Sequence, residues 1–174
     1  MSGPGADPIA WLVAHEELRQ LASRYAFALD ARDLNTLVSL FVDDVRVGRD
    51  QVGHEALRAS FTEQLRDLGV TILLVGNHVI DVLDEDHATG IVSCRGEIEM
   101  GEEWVVQAIQ YHDTYERRDG RWRFVRRRHL LFYGADMLQR PIGLPLAHWP
   151  ASVTGKGELP EVLQTWRDFY DELT

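Results

Sequence analysis

The sequence holds a single cysteine, Cys94, so no disulfide can close within the chain and no cysteine cluster can bind a metal. Nothing therefore points to an oxidising compartment, and a cytoplasmic location is expected. Positive charge is also scarce: 18 Lys and Arg against 28 Asp and Glu leave a net charge of -10. Nucleic acid or an anionic membrane is not expected as the main partner, because both require a basic surface that displaces counterions. No apolar run reaches the length of a membrane span. Met1 to Pro8 lack the basic region and long apolar stretch of a secretory signal, and read as a loose leader. There is no GxGxxG after a strand, no Walker loop, no GxSxG elbow and no HExxH. The seven histidines are scattered singly, no ligand spacing supports a metal site, and no cofactor is expected. An enzyme or a small-molecule binder remains.

What is present is an ordinary globular composition, 45% hydrophobic and 26% charged over 174 residues, enough for one domain with a core and an internal pocket. From Ile9 to Leu29, Leu12, Leu18, Leu21, Tyr25, Ala28 and Leu29 recur at helical spacing, with Glu16, Glu17, Arg19, Gln20 and Arg24 between them. Asp33 reads as the N-cap of a second helix, Leu34 to Phe41, and His54 to Leu68 as a third, with Gly69 as its stop. Val45-Arg46-Val47 reads as a short strand followed by a turn at Gln51-Val52-Gly53. Four strand-length runs follow: Val70 to Leu83, Ala88 to Met100, Glu103 to Arg117 and Arg121 to Tyr133. Asp119-Gly120 marks a tight hairpin. Helices followed by successive antiparallel strands predict an α+β fold with one sheet face covered. We divide the chain into the leader (1–8), a domain (9–136) and a C-terminal segment (137–174). That segment is a Pro- and Gly-rich lid, Met137 to Gly157, followed by a final helix, Leu159 to Leu173, with Leu163, Trp166 and Tyr170 on one face.

Asp30 ends an apolar helix, where the dipole does nothing to favour its charge, so it needs another reason to be there. His78 lies in the aliphatic run Ile72 to Ile80, and an imidazole steered by a carboxylate is a general base tuned near neutral pH. Tyr25 lies five residues before Asp30, about 140° round the helix, and can border the same cavity. On the third long strand Tyr111 and Asp113 share one face, while Gln110, His112 and Thr114 share the other. Alternation alone leaves open which face looks inward. Seven arginines crowd Arg117 to Arg128 on both strand parities. Whichever face is covered carries some of them, for a subunit interface or an anionic substrate group.

Leu18 to Asp30, Asp33-Leu34, Leu40-Phe41, Gly76-Asn77-His78, Tyr111-His112-Asp113 and Asp119 to Phe124, in this order and spacing, resemble the SnoaL-like branch of the nuclear-transport-factor-2-like superfamily. The resemblance runs from Ile9 to Tyr133. It implies a conical, cystatin-like barrel, in which three N-terminal helices pack on a strongly curved antiparallel sheet around an apolar pocket. By resemblance, Asp30 and His78 match the pocket aspartate and histidine of scytalone dehydratase and bile-acid 7α-dehydratase, and Tyr25 matches the helix tyrosine of the latter. Tyr111 and Asp113 then face inward. Val92 stands where scytalone dehydratase has a second histidine, and Gly96 where the bile-acid enzyme has a second aspartate. The implied activity is a cofactor-independent dehydratase or isomerase using Asp-His acid/base catalysis on a hydrophobic, polycyclic, steroid- or polyketide-like substrate. Leu144 and Trp149 would shield the pocket. A homo-oligomer, dimer or trimer, is expected. The competing readings are a non-catalytic binding or assembly module and the small subunit of a ring-hydroxylating oxygenase.

Overall fold

Asp7 opens the first helix: its carboxylate accepts from the N–H groups of Ile9 and Ala10 at 2.9 and 3.2 Å, capping donors that have no partner inside the helix. Pro8 has no N–H to leave unpaired and suits the first helical position. The end of the expected leader is thus part of a capped helix. The computed structural model describes residues 7–139, 144–158 and the positions 162, 164 and 167. The predicted final helix, together with Arg140, Pro141, Ile142 and Gly143 of the predicted lid, lies outside the described residues apart from those three positions. Among the described residues, no helix is long and apolar enough to cross a membrane.

Helix α1 spans Pro8–Asp30 and buries His15, Leu18, Leu21, Ala22, Tyr25, Ala26 and Ala28 along one stripe. Arg32, at φ 57°, turns the chain in the left-handed region, and its guanidinium holds that corner by donating to the Leu29 and Gly69 carbonyls and to Thr71. Helix α2 (Leu34–Ser39) is capped by Asp33, and the ribbon β1 (Arg46–Val47) and β2 (Gln51–Val52) follows, so the expected turn at Gln51-Val52 is itself paired. Helix α3 (His54–Leu65) stops three residues short of the expected Leu68.

The main sheet is antiparallel, in the order β3 (Thr71–Val82), β4 (His87–Met100), β5 (Glu103–Arg118), β6 (Arg121–Asp136) and β7 (Gly155–Lys156). Asp119 and Gly120 both take positive φ, as a two-residue turn between twisted strands requires. Along β4 burial alternates strictly, with Ala88, Gly90, Val92, Cys94, Gly96 and Ile98 on the helix-facing side. The core includes Leu18, Leu37, Tyr115 and Phe124, all fully buried.

Three bulges decide which side chains reach the interior. The register between β3 and β4 shifts between Val75 and His78. Thr71, Leu73 and Val75 therefore face the helices on one side of the bulge, and His78, Ile80 and Val82 on the other. Val125 is the extra residue where Thr114 pairs with Arg126 but Tyr115 pairs with Phe124, which turns both Phe124 and Arg127 inward. Phe132 is the extra residue between Leu131 and Tyr133.

The described part of the expected lid is tied to the sheet. Gly157 N–H donates to the Phe132 carbonyl at 3.1 Å, and the buried Gln107 amide donates to the Val153 carbonyl at 3.0 Å. A Cβ at Gly134 would collide with that same Val153 carbonyl, so glycine is what lets the strap lie flat on β6. β7 was not expected, because a lone glycine and lysine carry no strand periodicity.

Candidate active site

Between the helices and the inner sheet face lies a cavity of about 760 Å³. Its walls include Phe41, Phe61, Leu57, Leu73 and Ile109, and its polar lining includes Tyr25, Thr71, Tyr111, Arg127 and His129. Trp149, from the strap, also lines it and stacks on His129 with ring centroids 4.5 Å apart. This is the balance of many apolar and few convergent polar groups expected of a small-molecule site.

Arg127 is the electrostatic centre of this site. Its guanidinium lies 4.3 Å from the ring centroids of Tyr25, Tyr111 and Phe124. Nε and Nη2 donate to the two oxygens of Asp113 at 2.9 and 2.7 Å, with both side chains almost wholly buried. Burial opposes the Arg127 charge, but Asp113 and the tyrosines more than offset it and hold the pKa above its ordinary value. Nη1 is buried with no partner among the described residues. The pair is thus fixed, neutral overall, and keeps one donor nitrogen, with two N–H groups, unspent.

Behind Asp113 runs a second line of bonds. Tyr115 OH donates to Asp113 Oδ2 at 2.8 Å, and His78 Nε2 lies 3.1 Å from the same hydroxyl. Burial, and then the Asp113 charge, raise the Tyr115 pKa far above its ordinary value, so the phenol stays protonated. Since its one proton goes to Asp113, the hydroxyl accepts from His78 Nε2–H, which leaves Nδ1 with the ring's lone pair, buried and without a partner among the described residues. Burial lowers the His78 pKa to about 4 despite the Asp113 charge. Gly90 makes room for this contact: a Cβ there would stand 3.0 Å from both His78 Nε2 and Tyr115 OH.

The expected Asp30–His78 hydrogen bond is not formed. Asp30 accepts from Thr71 Oγ1 at 3.0 Å and from Leu73 N–H at 2.9 Å, which ties the end of α1 to the start of β3. The cavity-facing β3 side chain next to this carboxylate is Leu73, while the bulge after Val75 carries His78 further along the strand to Tyr115. Neither Asp30 nor His78 lines the large cavity. Tyr25, Tyr111 and Trp149 do line it. Burial pushes the Tyr25 phenol up to about 12, and Tyr111 well above its ordinary value, so both hydroxyls are donors at neutral pH. Asp113 sits behind Arg127, Val92 is fully buried in the core with Cys94 and Ile109, and Leu144 does not reach the cavity. Tyr115 and His129 were not among the expected site residues, and Arg127 was expected only as one of the seven hairpin arginines. His129 lines the cavity, its Nδ1 has no partner among the described residues, and burial lowers its pKa to about 4.

An α+β domain with N-terminal helices on an antiparallel sheet that forms a polar-centred apolar cavity is the nuclear-transport-factor-2-like, or cystatin-like, type of fold. Within it, residues 11–128 match the SnoaL-like domain, and the chain belongs to that family. Among solved structures it is similar to a proposed scytalone dehydratase of Novosphingobium aromaticivorans DSM 12444, at 23% identity over 79% of this chain and 98% of that one, TM-score 0.67. It is similar to the type 3 hexachlorocyclohexane dehydrochlorinase LinA of Novosphingobium barchaimii LL02, at 24% identity over 77% and 97%, TM-score 0.65. A proposed aromatic ring hydroxylase of N. aromaticivorans matches at 20% identity over 71% and 88%, TM-score 0.58. These likenesses show the shared fold. No curated protein matches the chain.

Proposed function

We propose that the chain is a cofactor-independent lyase of the dehydratase type, or an isomerase, acting on a hydrophobic, ring-containing substrate such as a steroid- or polyketide-like compound. The observation that carries this reading is the unspent Nη1 donor of Arg127, held in a dry aromatic setting between the Tyr25 and Tyr111 rings. A donor fixed beforehand at low dielectric stabilises oxygen charge in a transition state more than a solvated one does. In this reading Arg127, Tyr25 and Tyr111 bind the substrate's carbonyl or departing hydroxyl oxygen. His129, neutral near physiological pH, takes the proton from the adjacent carbon, and Trp149 covers the imidazole. The His129 imidazolium then returns its proton, either to the departing hydroxyl, which leaves as water, or to a remote carbon, which completes double-bond migration. Asp30 holds Thr71 and Leu73 in place, and the His78–Tyr115–Asp113 line orients Arg127. The exposed Ile72, Leu74, Val79 and Ile91 on β3 and β4 support assembly with a second copy of the chain.

The geometry at Leu73 favours a second reading, a non-catalytic binding module, since an aliphatic side chain stands where an imidazole could have met Asp30. Incubating the protein with steroid, bile-acid and aromatic polyketide panels and recording product masses separates the two. Loss of water from a substrate supports elimination, and an unchanged mass with a shifted absorbance supports isomerisation. Saturable binding with no product from any compound supports the binding module instead.

A further inference from the structure

We infer that the ligand of this cavity carries an oxyanion, and that Arg46 and Arg126 at the cavity mouth receive it. The inference rests on the reading above that the cavity is the ligand site. Both arginines are exposed, both line the cavity, and neither makes a hydrogen bond or ion pair among the described residues. In a chain of net charge -10, with more acids than bases, free cations converging on one opening are a departure from the average surface. Their neighbour Arg118 shows the ordinary alternative: it is clamped by Asp44 and by both oxygens of Glu116. Asp44 is the one carboxylate lining the cavity among the described residues, and Arg118 already holds it.

The inner end cannot supply this charge preference, because Asp113 neutralises Arg127 and leaves one donor nitrogen, Nη1, suited to an uncharged oxygen. Polarity is therefore graded along the cavity: a neutral oxygen at Arg127, an apolar body between Phe41, Phe61 and Ile109, and an anion at the mouth. Guanidinium forks match the planar or tetrahedral oxygens of carboxylate, sulfonate and phosphate alike. There is room for such a group beside Gly48, where a Cβ would meet nothing within 4 Å. The arginine-rich hairpin thus divides its labour: Arg127 faces inward, Arg118 ties Asp44, just ahead of β1, to β5, and exposed Arg126, opposite Thr114, borders both the opening and the outer groove beside Arg128.

The test is a fluorescence titration of the full chain with two probes that differ by one charged group, N-phenyl-1-naphthylamine and 8-anilinonaphthalene-1-sulfonate. The sulfonate is expected to bind about fivefold or more tighter than the neutral amine at low salt and to lose that advantage as salt screens it. R46Q/R126Q is expected to weaken the sulfonate about tenfold while leaving the neutral probe unchanged. R121Q, an exposed arginine that does not line the cavity, is expected to change neither. Binding of the neutral amine with no preference for the sulfonate, or a sulfonate affinity untouched by R46Q/R126Q, overturns the inference while leaving the cavity as a ligand site. Failure of both probes to bind overturns the ligand-site reading and this inference with it.

Discussion

His78 and Tyr115 meet at 3.1 Å across the inner sheet face, and the direction of that bond is set by what lies beyond it, because Tyr115 spends its only proton on Asp113. His78 must therefore be the Nε2–H tautomer. Nitrogen-15 NMR at neutral pH is expected to show Nε2 protonated and Nδ1 bare. Protonation at Nδ1 would reverse the bond and remove Tyr115 from the line that orients Arg127.

Gly90 is the residue this contact depends on sterically. Gly90→Ala places a methyl 3.0 Å from both bonded atoms, and fully buried Tyr115 has no space into which to retreat. Overpacking of this kind costs about 1–3 kcal/mol, read as a lower urea midpoint at unchanged slope.

Asp113→Asn leaves the buried Arg127 charge without its counter-ion. A loss of about 3–5 kcal/mol is expected from chemical denaturation. D113L/R127M, which removes both charges, is expected to recover much of that loss while abolishing ligand binding. Recovery of stability without loss of binding would take Arg127 out of the site.

His78 and His129 have pKa values lowered from 6.5 to about 4, in each case first by burial. The folded state then binds fewer protons than the unfolded chain between those values, so stability rises with pH across that window. The contribution is complete above pH 6.5 and is lost as pH falls toward about 4. Urea unfolding across this range checks the slope, and His129→Asn is expected to flatten it.

Much of the fold was legible in the sequence, because three amphipathic helices and four long alternating strands carry strong periodic signals. The site was less so, and the reason is specific. Counting back from Asp119-Gly120, Arg118 opposes Arg121 and Tyr115 opposes Phe124, which would set Asp113 against Arg126. The single extra residue Val125 moves the partner to Arg127 and turns it inward. Likewise the bulge after Val75 separates His78 from the end of β3 that Asp30 holds, and alternation read straight through Gly76-Asn77 cannot reveal it. Gly76 and the crowd of arginines on both parities were the available hints. Tyr25 and Tyr111 lie in α1 and β5, elements whose periodicity the sequence carries, whereas Trp149 stands in the strap outside any helix or strand.

The most direct measurement is turnover of the best compound from the substrate panel by three folded variants, His129→Asn, Tyr111→Phe and His78→Asn. The account predicts that the first two lose activity by about 100-fold, the usual scale for removing an acid/base or oxyanion-binding group, while the third stays within a few fold of wild type. Activity that survives His129→Asn but disappears with His78→Asn would contradict it.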